Sequence, residues 1–208
     1  MPLYKSKLKK LNLGCEKEYR KEWVNLDFDE RVKADVYWDL NKFPYPFKDD
    51  SFEEILASSV LEHLDNIYSV MMELHRIGKD KGLIYVYSPH TSCPFLSWTE
   101  FEHKNAFSYM SFGEWFVNKE LYPYFEVLKK KIVFTRINFK FLNKILNPII
   151  NMFPVVYERL FSGILQSSGM VYILRIRKDK QFQESKMRRM NVLESRTIDD
   201  NLKFIKEI

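Results

Sequence analysis

The sequence predicts an α/β chain built on a mostly parallel sheet, and three observations carry that expectation. Short apolar segments recur through the first half, separated by turns or by one helix, a spacing that suits a sheet covered on both faces. The segments stop at polar or small residues, so Gly14, Asp27, Asp39, Ser58 and Ser88 fall where strands end. One stretch, Asn66 to Ile77, sets Ile67, Val70, Met71, Leu74 and Ile77 on a single face at helical spacing.

The elements follow in order. Lys10 to Leu13 reads as a first strand ending at Gly14, Trp23 to Leu26 as a second ending at Asp27, and Asp35 to Trp38 as a third ending at Asp39. Pro44 and Pro46 force an extended loop, because proline lacks the donor that a helix or inner strand needs. Glu54 to Ala57 is a fourth strand, and the Asn66 to Ile77 helix follows it. Gly82 marks a turn before a fifth strand, Leu83 to Tyr87. Beyond it come an aromatic, irregular stretch with a helix expected over Ser111 to Asn118, and two more strands, Phe125 to Phe134 and Met170 to Arg177. Between those strands, Pro148 and Pro154 are expected to break Phe139 to Leu165 into short helices. Ligands of such sheets sit beyond the carboxyl ends of the strands, so the polar strand ends should line one rim.

The chain has 208 residues, enough for one domain with a sizeable core. The expected division is a single domain over 1–178, with insertions at about 92–118 and 139–165, and a charged tail over 179–208, helical or partly disordered. A net charge of +5, with lysine and arginine clustered at Lys5 to Lys10, Lys129 to Lys131 and Arg175 to Arg189, reads as solvated faces or as a polyanion-binding patch. The two cysteines, Cys15 and Cys93, offer neither a metal-ligand spacing nor a disulfide framework. Free thiols and no metal are therefore expected. The basic N-terminus has no apolar run of signal-peptide length, and no segment approaches a membrane span, so the expected location is cytoplasmic.

Five motifs, taken in order, resemble those of class I S-adenosylmethionine-dependent methyltransferases of the type 11-like group, in a variant with an abbreviated first crossover. Leu11-Asn-Leu-Gly-Cys15 resembles the first motif, a strand ending in a glycine turn. Asn25-Leu-Asp27 resembles the acidic end of the second strand, and Asp39-Leu40 the adenine-side acidic position. The segment from Pro46 to Ile55 resembles the loop entering strand four, and Ser58-Ser-Val-Leu-Glu-His-Leu64 the segment that follows it. The similarity runs from about Leu11 to Tyr87, with a weaker echo in Phe101 to Phe116.

The resemblance implies a Rossmann-like, mostly parallel seven-stranded sheet with one antiparallel strand and helices on both faces. It implies S-adenosylmethionine as cofactor, leaving as S-adenosylhomocysteine. The implied cofactor residues are Asn12, Gly14, Cys15, Glu16, Asp27, Phe28, Asp39, Leu40, Ser58, Ser59 and His63. The chemistry is consistent with this. A carboxylate such as Asp27 can accept both ribose hydroxyls, and a glycine lets backbone approach without a Cβ in the way. Two departures stand out. Glu16 occupies a position where the family has a second glycine, so its side chain either crowds the cofactor or points to solvent. Only 13 positions separate Gly14 from Asp27, too few for a full crossover helix.

His90, just after strand five, and His103, in a loop beyond it, are candidate acceptor-side bases, with a structural role as the alternative for each. His63 either lines the cofactor's rim or fixes its turn, and His75 belongs to helix packing or the surface. The aromatics Phe95, Trp98, Phe101, Phe107, Tyr109, Phe112, Trp115 and Phe116 either wall an acceptor pocket or pack a cap onto the sheet. The 139–165 segment reads first as a cap or a homodimer interface. An in-plane membrane contact helped by Lys140, Lys144 and Arg159 ranks behind.

The expected reaction is methyl transfer by in-line displacement to an O, N or C atom of a small-molecule, sugar-containing or lipid-linked acceptor. A non-catalytic cofactor-binding protein and a nucleic-acid methyltransferase are the alternatives.

Overall fold

The computed structural model describes residues 3–97, 99, 101–112, 121, 123–135, 139–179, 181 and 183–184. The expected Ser111 to Asn118 helix lies outside the described residues from 113 onward, as do residues 185–208 of the tail and the side chains of Phe95, Trp98, Trp115 and Phe116.

Seven strands form one sheet: β1 (Lys10–Leu13), β2 (Val24–Asp27), β3 (Val36–Tyr37), β4 (Phe52–Ser58), β5 (Gly78–Pro89), β6 (Phe125–Val133) and β7 (Gly169–Ile176). Their order across the sheet is β3-β2-β1-β4-β5-β7-β6. The first five are parallel, and β7 runs antiparallel between β5 and β6. The described helices are α1 (Ile67–Ile77), α2 (Pro94–Ser97), α3 (Asn143–Met152) and α4 (Pro154–Val156), followed by a wide helical turn at Tyr157–Phe161.

Strand side chains alternate between faces, and the alternation sorts this sheet. Register aligns Leu11, Ile55 and Ile84 in one row and Leu13, Ala57 and Val86 in another, and all six are buried. Each fully buried leucine or isoleucine contributes about 1.5–3 kcal/mol. Helix α1 adds Val70, Met71, Leu74 and Ile77 to this core, as its periodicity predicts. Asn66 caps it by accepting the Ser69 N–H at 3.0 Å. Arg76, near its end, donates to the carbonyls of Tyr45 (3.1 Å) and Phe47 (2.8 Å), which pins the Pro44–Phe47 loop over the core.

Strand β5 differs from expectation. No turn separates it from α1: the strand starts at Gly78, with a left-handed kink at Lys81 (φ 63°). Gly82 marks a close backbone approach instead, since a Cβ there would lie 2.9 Å from the Lys79 carbonyl oxygen.

Pro148 also departs from expectation, because it sits inside α3 rather than breaking it. The face of α3 toward the sheet explains the packing. Asn143, Asn147 and Asn151 are spaced four apart and meet the open edge of β6. Asn151 accepts from the Ile132 N–H and donates to the Ile132 carbonyl, both at 2.7 Å. Asn147 accepts from the Phe134 N–H at 2.8 Å. Asn143 accepts from Thr135 at 3.1 Å and donates back at 2.7 Å. Three side-chain amides thus cover an edge that would otherwise invite strand pairing.

Candidate functional site

The carboxyl ends of β1, β2, β4 and β5 lie along one edge of the sheet, and the candidate residues gather there. At the end of β1 the chain turns left-handed at Gly14 (φ 61°). A Cβ on Gly14 would come within 2.5 Å of Val60 Cγ2, in the turn after β4, so glycine is required by conformation and by space. The Cys15 N–H then donates to the Leu26 carbonyl at 3.0 Å, which extends the β1–β2 pairing.

Glu16 is the next residue. It has φ 43°, in the left-handed region, and is exposed to solvent. Its backbone N–H donates to Asp27 Oδ2 at 2.7 Å.

Asp27 ends β2 and is 6% exposed. Its other oxygen accepts the Asp29 N–H at 3.0 Å. Each carboxylate oxygen carries two lone pairs, so these two bonds fix the group and leave it further acceptor capacity. Phe28 beside it presents an apolar ring, 75% exposed. Burial, and then the Asp27 charge, pushes the Cys15 thiol up to about 11, so it stays protonated and unreactive at neutral pH.

A polar network takes the place of the missing crossover helix. Residues 14–23 form turns, held from beneath by Asn25. Its side chain accepts from the Arg20 N–H at 2.8 Å and donates to the carbonyls of Arg20 (2.9 Å) and Trp23 (3.0 Å). Asn12 donates to the Glu18 carbonyl at 2.9 Å and to Asn25 Oδ1 at 3.1 Å. Its amide therefore holds the crossover rather than reaching the rim. Asp35 completes the network, accepting from the Asn25 backbone (2.8 Å) and the Tyr19 hydroxyl (2.9 Å). Burial raises the Asp35 carboxyl, but the hydrogen bonds from Asn25 and Tyr19 outweigh it and hold the group below the usual carboxylate range. Sequence reasoning missed this network because Asn25 and Asp35 declare their partners only once β2 and its neighbours are paired.

The remaining cofactor candidates divide between rim and core. Asp39 accepts the Asn41 N–H at 3.0 Å and caps its own turn. Leu40 is buried in the core. Ser58 ends β4, and exposed Ser59 (φ 52°) donates its N–H to the Tyr87 carbonyl at 2.8 Å.

On the other side of the rim, Glu62 sits 1% exposed between β4 and β5. The Ser88 hydroxyl donates to its Oε2 at 3.0 Å. The Glu62 carbonyl accepts the Lys104 and Asn105 N–H groups at 2.7 and 3.0 Å, which draws the loop carrying His103 back onto the rim. His63 and His103 meet edge to face, 4.5 Å between ring centroids. His103 Nδ1 lies 3.3 Å from the Ser97 carbonyl, so that nitrogen is the donor. Glu62, His63 and His103 bring ligand atoms within 4.8 Å of one another. Two imidazoles and a carboxylate can accept a proton or hold a divalent cation, a grouping that cysteine spacing could not reveal.

His90, the other candidate base, is a correction. It is fully buried, and both ring nitrogens are engaged. Nδ1 accepts the Ser92 N–H at 3.1 Å, which leaves Nε2–H to donate to Glu158 Oε1 at 2.9 Å. Without exposure it cannot meet an acceptor. It pins the 139–165 segment to the sheet, and Glu158, whose partner lies 68 residues away, was invisible as a functional residue in the sequence. Of the described aromatics, Phe107 and Phe112 pack together over Tyr172, which places them in the core rather than on a pocket wall.

Residues 15–86 match the family model of a methyltransferase domain. No curated protein matches the sequence. Among solved structures, an S-adenosylmethionine-dependent methyltransferase from Archaeoglobus fulgidus aligns at 16% identity over 80% of this chain and 85% of that one, with a TM-score of 0.55. Another from Mesorhizobium loti aligns at 13% identity over 81% of this chain and 90% of that one, with a TM-score of 0.52. At these identities the likeness is one of fold. The domain match over residues 15–86, the likeness to these structures and the seven-stranded sheet together show a class I S-adenosylmethionine-dependent methyltransferase fold.

Proposed function

We propose that this protein transfers a methyl group from S-adenosylmethionine to an acceptor held beside His103. The observation that carries the reading is Asp27. It is a buried carboxylate at a strand end, aimed by two backbone N–H groups, on the same rim as a Glu62–His63–His103 cluster. The residues present fit the cofactor. The Gly14 turn admits close backbone, Asp27 retains lone pairs for ribose hydroxyls, and the Phe28 ring offers an apolar face for adenine. When bound, S-adenosylmethionine supplies a methyl group already activated on a sulfonium.

The residues of the chain then have three tasks. Gly14, Asp27 and Phe28 position. The 104–112 loop, drawn in by the Glu62 carbonyl, shields the site from water. His103 accepts the acceptor's proton on Nε2, its Nδ1 being held by the Ser97 carbonyl.

The test is label transfer. The protein is incubated with methyl-labelled S-adenosylmethionine and, separately, with aqueous and lipid extracts of cells as sources of acceptor. Label should enter one extract and fall about a hundredfold or more with His103→Ala, while that variant binds S-adenosylhomocysteine as the wild type does. Equal transfer by the variant would remove His103 from the chemistry.

A further inference from the structure

Helix α3 is amphipathic in the inverted sense. Its asparagine face is turned inward and spent on the β6 edge. Its outward face carries Phe141 (in the turn leading into it), Ile145, Ile149 and Met152, spaced four, four and three apart and 60–67% exposed. Past α3 the apolar surface continues through Phe153, Leu160 and Ile164, the last 90% exposed. Single exposed apolar residues are ordinary on a soluble surface, but a contiguous set on one segment is not. The cap role accounts for the inner face alone: Ile150 and Tyr157 are buried and Glu158 is locked to His90.

The charges around the patch choose its occupant. The 139–165 segment holds Lys140, Lys144 and Arg159, all exposed, and one acid, Glu158. That acid is already engaged by His90 and by the Tyr109 N–H. A two-fold contact between copies would bury this face against itself and bring its cations toward one another, with no acid in the segment to compensate. An anionic bilayer offers hydrocarbon for the stripe and phosphate for the cations. Among the described residues no helix is long and apolar enough to cross a membrane, so the contact would lie in the plane of the interface.

We propose that the outer face of residues 139–164 docks on an anionic lipid surface. The His90–Glu158 pair then holds the rim of the site at headgroup level, where a lipid-borne or amphiphilic acceptor is presented. Docking itself does not depend on the methyl-transfer reading.

The test is co-sedimentation of the full chain with vesicles of pure phosphatidylcholine and of equal parts phosphatidylcholine and phosphatidylglycerol. The protein should partition to the anionic vesicles and far less to the neutral ones. Ile145→Asp with Ile149→Asp should weaken binding by about tenfold or more. Lys140→Gln, Lys144→Gln and Arg159→Gln together should cost between about tenfold and a hundredfold, on anionic vesicles only. All five positions are exposed, so thermal melting should match the wild type and confirm that the variants fold. Failure of the wild type to bind either vesicle would overturn the proposal, as would binding indifferent to the aspartates. So would a wild-type dimer in sedimentation velocity that Ile145→Asp with Ile149→Asp dissociates, without vesicle binding.

Discussion

Gly14 and Glu16 occupy one left-handed turn, and only the first is a glycine. A non-glycine residue in that region costs about 1–2 kcal/mol, partly offset because glycine loses more freedom on folding. Glu16→Gly should therefore raise the unfolding free energy by about 0.5–1 kcal/mol. Cofactor affinity should be kept or improved, since glycine removes the side chain from the turn beside Asp27. Denaturant titration and calorimetry check both; a loss of stability would mean that the Glu16 carboxylate makes a contact of its own. At this scale the sequence was informative where chemistry is local. A carboxylate at a strand end and a glycine at a turn announce themselves, and Asp27 and Gly14 stand where they were expected. His90 was less legible, because exposure decides whether a histidine can act as a base, and Glu158 reaches it from across the fold.

Helix α1 was legible almost to the residue, since its apolar stripe is a local signal. The asparagine face of α3 was not, because it makes sense only once β6 is known to be an edge. Pro148 misled for the same reason: edge contacts hold α3 together despite the missing N–H. Element packing also sets a pH response. His75 on α1 packs against Tyr124 and Phe125 and hydrogen-bonds through Nε2 to the Arg177 carbonyl at 3.1 Å. Burial holds its pKa below the usual histidine value, and the Arg177 bond only partly opposes that. The unfolded chain thus takes up the proton more readily than the fold. The His75 contribution to stability is complete above about pH 6.5, declines as the pH falls below that, and levels off beneath the folded-state pKa. Urea unfolding between about pH 7.5 and pH 5 should show this decline, and His75→Gln should flatten it. An equal decline in the variant would assign the response to another group.

Across the whole molecule, the mostly parallel sheet followed from apolar segments with polar ends, and the single antiparallel strand from the family resemblance. The abbreviated connection between Gly14 and Asp27 stood out in the sequence as too short for a full crossover helix. In the fold it is a braced turn: Asn12, Asn25 and Asp35 supply the support that a crossover helix would give. The same turn bears on the proposed cofactor role of Asp27, because its Glu16 N–H holds the carboxylate. The most direct measurement is calorimetric titration of the wild type and of Asp27→Ala with S-adenosylmethionine and S-adenosylhomocysteine, with NAD as a control. The account predicts micromolar binding of the first two, none of NAD, and a loss of about 1.5–3 kcal/mol in the variant. A folded wild type that binds neither ligand, or a variant that binds as tightly as the wild type, would contradict it.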